Sequence, residues 1–152
     1  MQRSVKHDLT PLELAAWHGF LRAHAEIVRD LDDELQAEHG LALTSYEVLL
    51  YLAEAPGNRL RMSELASSLL LSQSGVTRLV DRLEREGLVR RERCEEDGRG
   101  FFAVLSQRGE ARFREVRPTH LAGLRRRFLD ALSEDDQRAL HAVWTQLGVD
   151  LS

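Results

Sequence analysis

Apolar residues in this chain recur at helical spacing, then in short extended runs, then helically again. From about residue 11 to 38, Leu14, Trp17, Leu21, Ala25, Val28, Leu31 and Leu35 return every three or four positions. That spacing predicts a long amphipathic helix. Val48, Leu49, Leu52 and Ala53 predict a second helix over about 44–54, and Leu65, Ala66 and Leu69 a short one over about 63–69. The clearest stripe lies in SQSGVTRLVDRLEREG, which starts at Ser72 or Gln73. There Val76, Leu79, Val80 and Leu83 stand at i, i+3, i+4 and i+7. LVRRER (88–93) and FFAVLS (101–106) then read as strands flanking a charged, Gly-rich tip, EEDGRG, with Arg59-Leu60-Arg61 as a further short strand.

Start and stop signals frame these elements. Thr10-Pro11-Leu12-Glu13 supplies a cap, a proline at the first helical position and a carboxylate three residues after the cap. Thr44-Ser45-Tyr46-Glu47 and Ser133-Glu134-Asp135-Asp136 repeat the hydroxyl-x-x-acid form, and Ser106 stands ready to cap a helix over about 107–128. Gly40, Pro56-Gly57 and Gly87 mark helix ends. The predicted fold is mainly α: a winged helix-turn-helix unit over 44–106, with a small β-hairpin wing. A helical dimerisation region, 11–38 and 107–150, the latter with helices over about 107–128 and 134–148, lies outside it in one continuous domain. Those outer helices are longer than the winged unit needs. Their apolar stripes call for a partner surface, and a second copy in a two-fold dimer is the simplest one.

Composition sharpens this. With 152 residues, 43% of them hydrophobic, and only 10 Gly and 3 Pro, the chain has material for a core and little for disorder. The single cysteine, Cys94, excludes an intramolecular disulfide. The opening MQRSVKHDLT shows no apolar signal-peptide region, and no run is long enough to span a bilayer, so the expected location is the cytoplasm. Net charge is −4, but its distribution matters more: residues 1–58 carry −6, residues 59–127 carry +6 and residues 128–152 carry −4. A basic centre between acidic ends suits either a DNA-reading module in a helical scaffold or ordinary solvated helix faces.

The residues of that centre favour nucleic acid. Opposite its apolar stripe, the helix from Ser72 presents Ser74, Thr77, Arg78, Arg82 and Arg85. Short hydroxyls permit close approach to base edges, and arginines reach guanine or phosphate. At about 20 Å the helix can lie across one groove, and its free N-terminal amides suit phosphate. Gly75 removes a side chain where DNA comes close, or it is a packing glycine. Arg78 fits bidentate guanine readout, with a phosphate contact as the alternative. Arg82 and Arg85 lie further along and fit phosphate clamps or solvated positions. Arg99, between Gly98 and Gly100, sits on a tip that can turn tightly, where a narrow minor groove attracts an arginine. Arg90, Arg91 and Arg93 divide between phosphate contacts and ion pairs with Glu92, Glu95 or Glu96.

SELA…LSQSGVTRLVDRLEREGLVRR over 63–91, followed by DGRGFFAVLSQRG with Asp97 and Arg99, resembles the MarR family of bacterial transcriptional regulators. The resemblance covers nearly the whole chain and is strongest over 60–110. It implies a homodimeric winged helix-turn-helix repressor, each recognition helix in a major groove of a pseudo-palindromic operator in double-stranded DNA. Arg99 would reach the adjacent minor groove, with Asp97 orienting it. Ser72, Ser74, Gly75, Thr77 and Arg78 match positions that face bases or phosphates, and Gln73 opens the same helix. The resemblance also implies release by a small aromatic or anionic effector held near the first, second and fifth helices. Trp17, His18, Phe20, His24, Tyr46 and Leu49 are the candidates there, with core or dimer packing as the alternative.

Other chemistry is thin. Cys94 beside Arg93 offers a redox-sensing alternative. The six histidines show no metal-ligand spacing, so no metal or cofactor is expected. No nucleophile–base pair or phosphate loop suggests an enzyme. The competing class is a winged-helix protein-interaction module without specific DNA binding.

Overall fold

The computed structural model describes residues 8–96 and 98–151. Its elements run α1 (Pro11–His39), α2 (Leu43–Glu54), a 3-10 turn (Pro56–Asn58), β1 (Arg59–Arg61), α3 (Met62–Ser68), α4 (Gln73–Arg85), β2 (Val89–Arg93), β3 (Phe101–Leu105), α5 (Gln107–Arg127), a 3-10 turn (Leu129–Ala131) and α6 (Glu134–Gln146). The predicted elements are all present, with ends within one or two residues.

Most caps form as the sequence predicts. Thr10 and Ser133 close reciprocal capping boxes with Glu13 and Asp136, and Ser72 and Ser106 accept from the Gly75 and Gly109 amides. The box at Thr44 does not form. Helix α2 starts a residue earlier, with Ala42 at the cap position and no local side-chain cap. The Leu43 amide donates instead to Asp32 Oδ1 of α1, at 2.7 Å. Asp32 therefore stands not on an idle solvated face but at the N-terminus of its neighbour, where a carboxylate is favoured.

Strand β3 is central in a three-stranded antiparallel sheet, order β1-β3-β2. Leu60 pairs with Ala103 on one side of it and Arg91 with Ala103 on the other. The core gathers Tyr46, Val48, Leu49 and Leu52 of α2, Leu65 of α3, the α4 stripe Val76, Leu79, Val80 and Leu83, and Val89, Ala103 and Leu105 of the sheet. Leu31 and Leu35 of α1 and Val116 of α5 belong to the same core, so the winged unit and the outer helices meet on one apolar interior. A Cβ at Gly109 would lie 2.1 Å from the Leu88 carbonyl oxygen, so only glycine lets α5 start so close to β2.

The long predicted stripe of α1 divides in two. Leu31 and Leu35 are buried, whereas Leu14, Trp17, Phe20, Leu21 and Val28 face solvent. No described residue of α6 is buried, and Phe20 meets Trp144 of α6 with ring centroids 5.5 Å apart. The N-terminal part of α1 and α6 thus form an apolar ledge.

Candidate nucleic-acid interface

Helix α4 is fixed by its buried stripe against α2, α3 and the sheet, which turns its other face outward. Ser72, Gln73, Ser74, Thr77, Arg78, Arg82 and Arg85 are all exposed. At the N-terminus the Ser72 and Ser74 hydroxyls lie 3.2 Å apart. The Thr77 hydroxyl donates to the Gln73 carbonyl at 2.8 Å, and Arg78 Nε to the Ser74 carbonyl at 3.3 Å, so Arg78 is folded back along its own helix. An added Cβ on Gly75 would come within 3.1 Å of Ser72 Oγ, so this glycine makes room for the cap hydroxyl.

Two arginines from the predicted interface have other work. Arg82 Nη2 donates to the buried Ser45 Oγ at 2.9 Å and braces α4 on α2. Arg91 pairs with Asp81 Oδ1 at 2.6 Å and Glu84 Oε1 at 3.5 Å, and donates to the Thr77 carbonyl at 3.3 Å. Its ion-pair partners are therefore on α4, not Glu92, Glu95 or Glu96. Its side chain is 21% exposed, and it ties the wing to the recognition helix. The pairing of Glu92 is with Arg90 (2.8 Å) and Arg59 (3.7 Å). Arg93 lies over the Phe101 ring, 5.9 Å from its centroid.

The wing tip is pinned by two backbone bonds, Cys94 N to Gly100 O (2.9 Å) and Gly98 N to Cys94 O (3.1 Å). Gly98 takes φ +55° there, the left-handed conformation glycine tolerates. Arg99 is exposed and, among the described residues, makes no hydrogen bond or ion pair. Asp97 lies outside the described residues. Between wing and α4 runs a groove of about 570 Å³ bordered by Gln73, Thr77, Arg91, Cys94 and Arg99. Cys94 is only 3% exposed, which removes the access a redox-sensing thiol needs. Arg85 and Arg108, likewise exposed, also make no hydrogen bond or ion pair among the described residues. Sequence reading passed over Arg108, whose only signal was its place just after the cap of α5.

The proposed effector residues are not gathered within the chain. Tyr46 is 1% exposed, stacked on Phe113 (5.7 Å) and set against His120 (4.5 Å). Burial raises its pKa to about 12. Trp17, His18 and His24 lie instead on the exposed part of α1, where Phe20 links Trp17 and His24 in a row. Among the described residues no group of His, Cys, Asp and Glu side chains could hold a metal ion, and no helix is long and apolar enough to cross a membrane.

A helix-turn-helix with a buried stripe, an outward polar N-terminus and an arginine-tipped hairpin defines the winged helix-turn-helix class. Known proteins narrow it. A sequence model of the MarR family matches residues 39–100. AbsC, a MarR family transcriptional regulator from Streptomyces coelicolor, is 38% identical, with a TM-score of 0.89 over 94% of this chain and 96% of that one. Sco3205, a MarR family regulator from the same organism solved in complex with DNA, is 34% identical, with a TM-score of 0.89 over 96% and 91%. YkoM, an HTH-type transcriptional regulator of Bacillus subtilis, is 32% identical over 74% of this chain and 71% of its own length. The chain belongs to the MarR family of transcriptional regulators, which are not enzymes.

Proposed function

We propose that this protein is a sequence-specific DNA-binding repressor that acts as a homodimer on a pseudo-palindromic operator. One observation carries the reading: α4 turns its hydroxyl-and-arginine face outward while Arg99 stands exposed at the wing tip, with no hydrogen bond or ion pair among the described residues. A helix so presented suits a major groove, and an exposed arginine on a glycine-flanked tip suits the adjacent minor groove. Ser72, Gln73, Ser74, Thr77 and Arg78 form the groove face, with Gly75 making room at its start. Arg93 and Arg99 form the wing face, with Asp97 orienting Arg99. Arg82 and Arg91 brace that surface.

The ledge supports the dimer. Trp17, Phe20, Leu21 and Val143 are exposed on one chain, and a two-fold copy covers them. It would set the recognition helices about 34 Å apart, one duplex turn. A small aromatic or anionic effector bound between a winged unit and the outer helices would change that spacing and release the operator. Repression follows from occupancy, because a dimer spanning two successive grooves excludes other proteins from that DNA.

The test is an anisotropy titration against a duplex from the region upstream of this gene, beside a scrambled duplex, at two salt concentrations. Preference for the native duplex by a factor of about 10³ is expected. Weak, equal, steeply salt-dependent binding to both would reduce the interface to a non-specific basic face. No binding at low salt would leave the interaction-module reading. The same complex, challenged with aromatic acids, reports effector release.

A further inference from the structure

Most of the large apolar residues this chain exposes lie on or near the α1–α6 ledge, but Leu70 stands apart from it, in the turn between α3 and α4. It is 92% exposed, the most exposed of them all. Its backbone is also strained, with φ +54°. Asn58 is the only other described non-glycine residue with positive φ, and asparagine tolerates that conformation where leucine does not. Glycine or asparagine would sit at position 70 without either cost.

The turn holds Leu70 out. Its amide donates to Ser67 O at 3.2 Å and the next, of Leu71, to Ala66 O at 3.0 Å. Leu69 packs against the core on one side, and Leu71 on the other is itself exposed, though far less than Leu70 at 37% against 92%. Ser72, which caps α4, is two residues on, about 7 Å of chain at most. Leu70 is thus an apolar knob at the entrance of a polar face made by Ser72, Gln73 and Ser74. If the N-terminus of α4 enters a groove, the residues just before it pass the wall of that groove. The apolar part of that wall is deoxyribose.

We propose that Leu70 is a DNA-contacting residue that packs its isobutyl group on the deoxyribose backbone at the lip of the groove. This rests on the DNA-binding reading above. The contact would position the helix without reading sequence.

Three variants test it. Leu70→Ala and Leu70→Met share the wild-type backbone strain, but only methionine keeps the apolar reach. Leu70→Gly relieves the strain and removes the side chain. Each is titrated against the native and scrambled duplexes, and melted without DNA. Leu70→Ala and Leu70→Gly are expected to lose about tenfold in affinity, by the same factor on both duplexes. Leu70→Met is expected to stay within about twofold of wild type, and Leu70→Gly to melt no lower than wild type. Wild-type affinity in Leu70→Ala and Leu70→Gly would place Leu70 outside the interface. A loss confined to the native duplex would move it to a base edge and overturn the backbone assignment. A lower melting temperature in both truncated variants would give it to the fold instead. If wild type binds neither duplex, the DNA-binding reading itself fails and this contact falls with it, which the wild-type titration alone reveals.

Discussion

The winged unit and the α1–α6 ledge are built from the same kind of amphipathic helix, yet the chain finishes only one of them. Val76, Val80 and Leu83 of α4 are fully enclosed, because α2, α3 and the sheet fold over them. Trp17 and Phe20 of α1, on a stripe as regular, remain 54% and 46% exposed. Periodicity states that a face is meant to be covered. It does not state which chain covers it. The difference comes from the elements next in the chain: short turns return α2, α3 and the hairpin onto α4, while the start of α1 is met by α6 through Phe20 and Trp144.

The sharpest way to break this comparison is to cut into both stripes. Leu83→Ala opens a cavity inside the winged unit and is expected to cost about 2–5 kcal/mol of stability, read as a lower denaturant midpoint. That loss should not depend on protein concentration if the unit is closed by its own chain. Phe20→Asp should act the other way. Its direct cost to one chain is small, but a charge buried between two copies is expected to weaken association about a hundredfold. Sedimentation should then report the mass of one chain at concentrations where wild type shows two. An unchanged mass would leave the ledge without its proposed partner.

The same contrast recurs between two arginines of the wing. Arg91 is satisfied within the chain by Asp81, Glu84 and the Thr77 carbonyl, whereas Arg99 has no such partner among the described residues. Arg99→Ala is expected to weaken operator binding by about 1–3 kcal/mol and to leave the melting temperature unchanged. Arg91→Ala is expected to cost about 0.5 kcal/mol of stability, since its partners are well exposed, with any loss of affinity following from a loosened wing. If the two variants behaved alike, the division of labour between them would be wrong.

Much of this division is legible in the sequence, and the unread part has a common cause. The order of elements, the α4 stripe and three of the caps depend on residues within one turn of each other, and these the sequence displays. What it hid were partners supplied across elements. Asp32 caps α2 from α1, so the local Thr44 box was a false signal. Arg91 pairs across the groove to α4, though acids adjacent to it in sequence looked nearer. Arg82 turns to Ser45, thirty-seven residues away. Tyr46 was grouped with Trp17 and His24 as a ring-bearing set, but packing took it under α5. The candidate interface is therefore legible as a face, while the role of each arginine on it depends on the fold.

The seam between the two regions carries the smallest expected effect. His120 of α5 sits against Tyr46 of α2, and its Nδ1 is buried without a hydrogen-bond partner. Burial lowers its pKa below the ordinary 6.5. The folded state thus favours the neutral ring, and the unfolded chain takes up the proton first as pH falls. Stability from this group is complete above about pH 6.5 and is lost as pH drops from there through the lowered folded value. Glu47, also on α2, has its carboxyl pKa raised by burial, so it opposes that trend at lower pH in wild type and variant alike. His120→Phe keeps a ring beside Tyr46 and removes the titrating group. Urea midpoints at pH 7.5 and 5.5 should therefore converge in the variant relative to wild type. An equal difference between the two proteins at both pH values would mean that the seam holds its histidine without regard to charge.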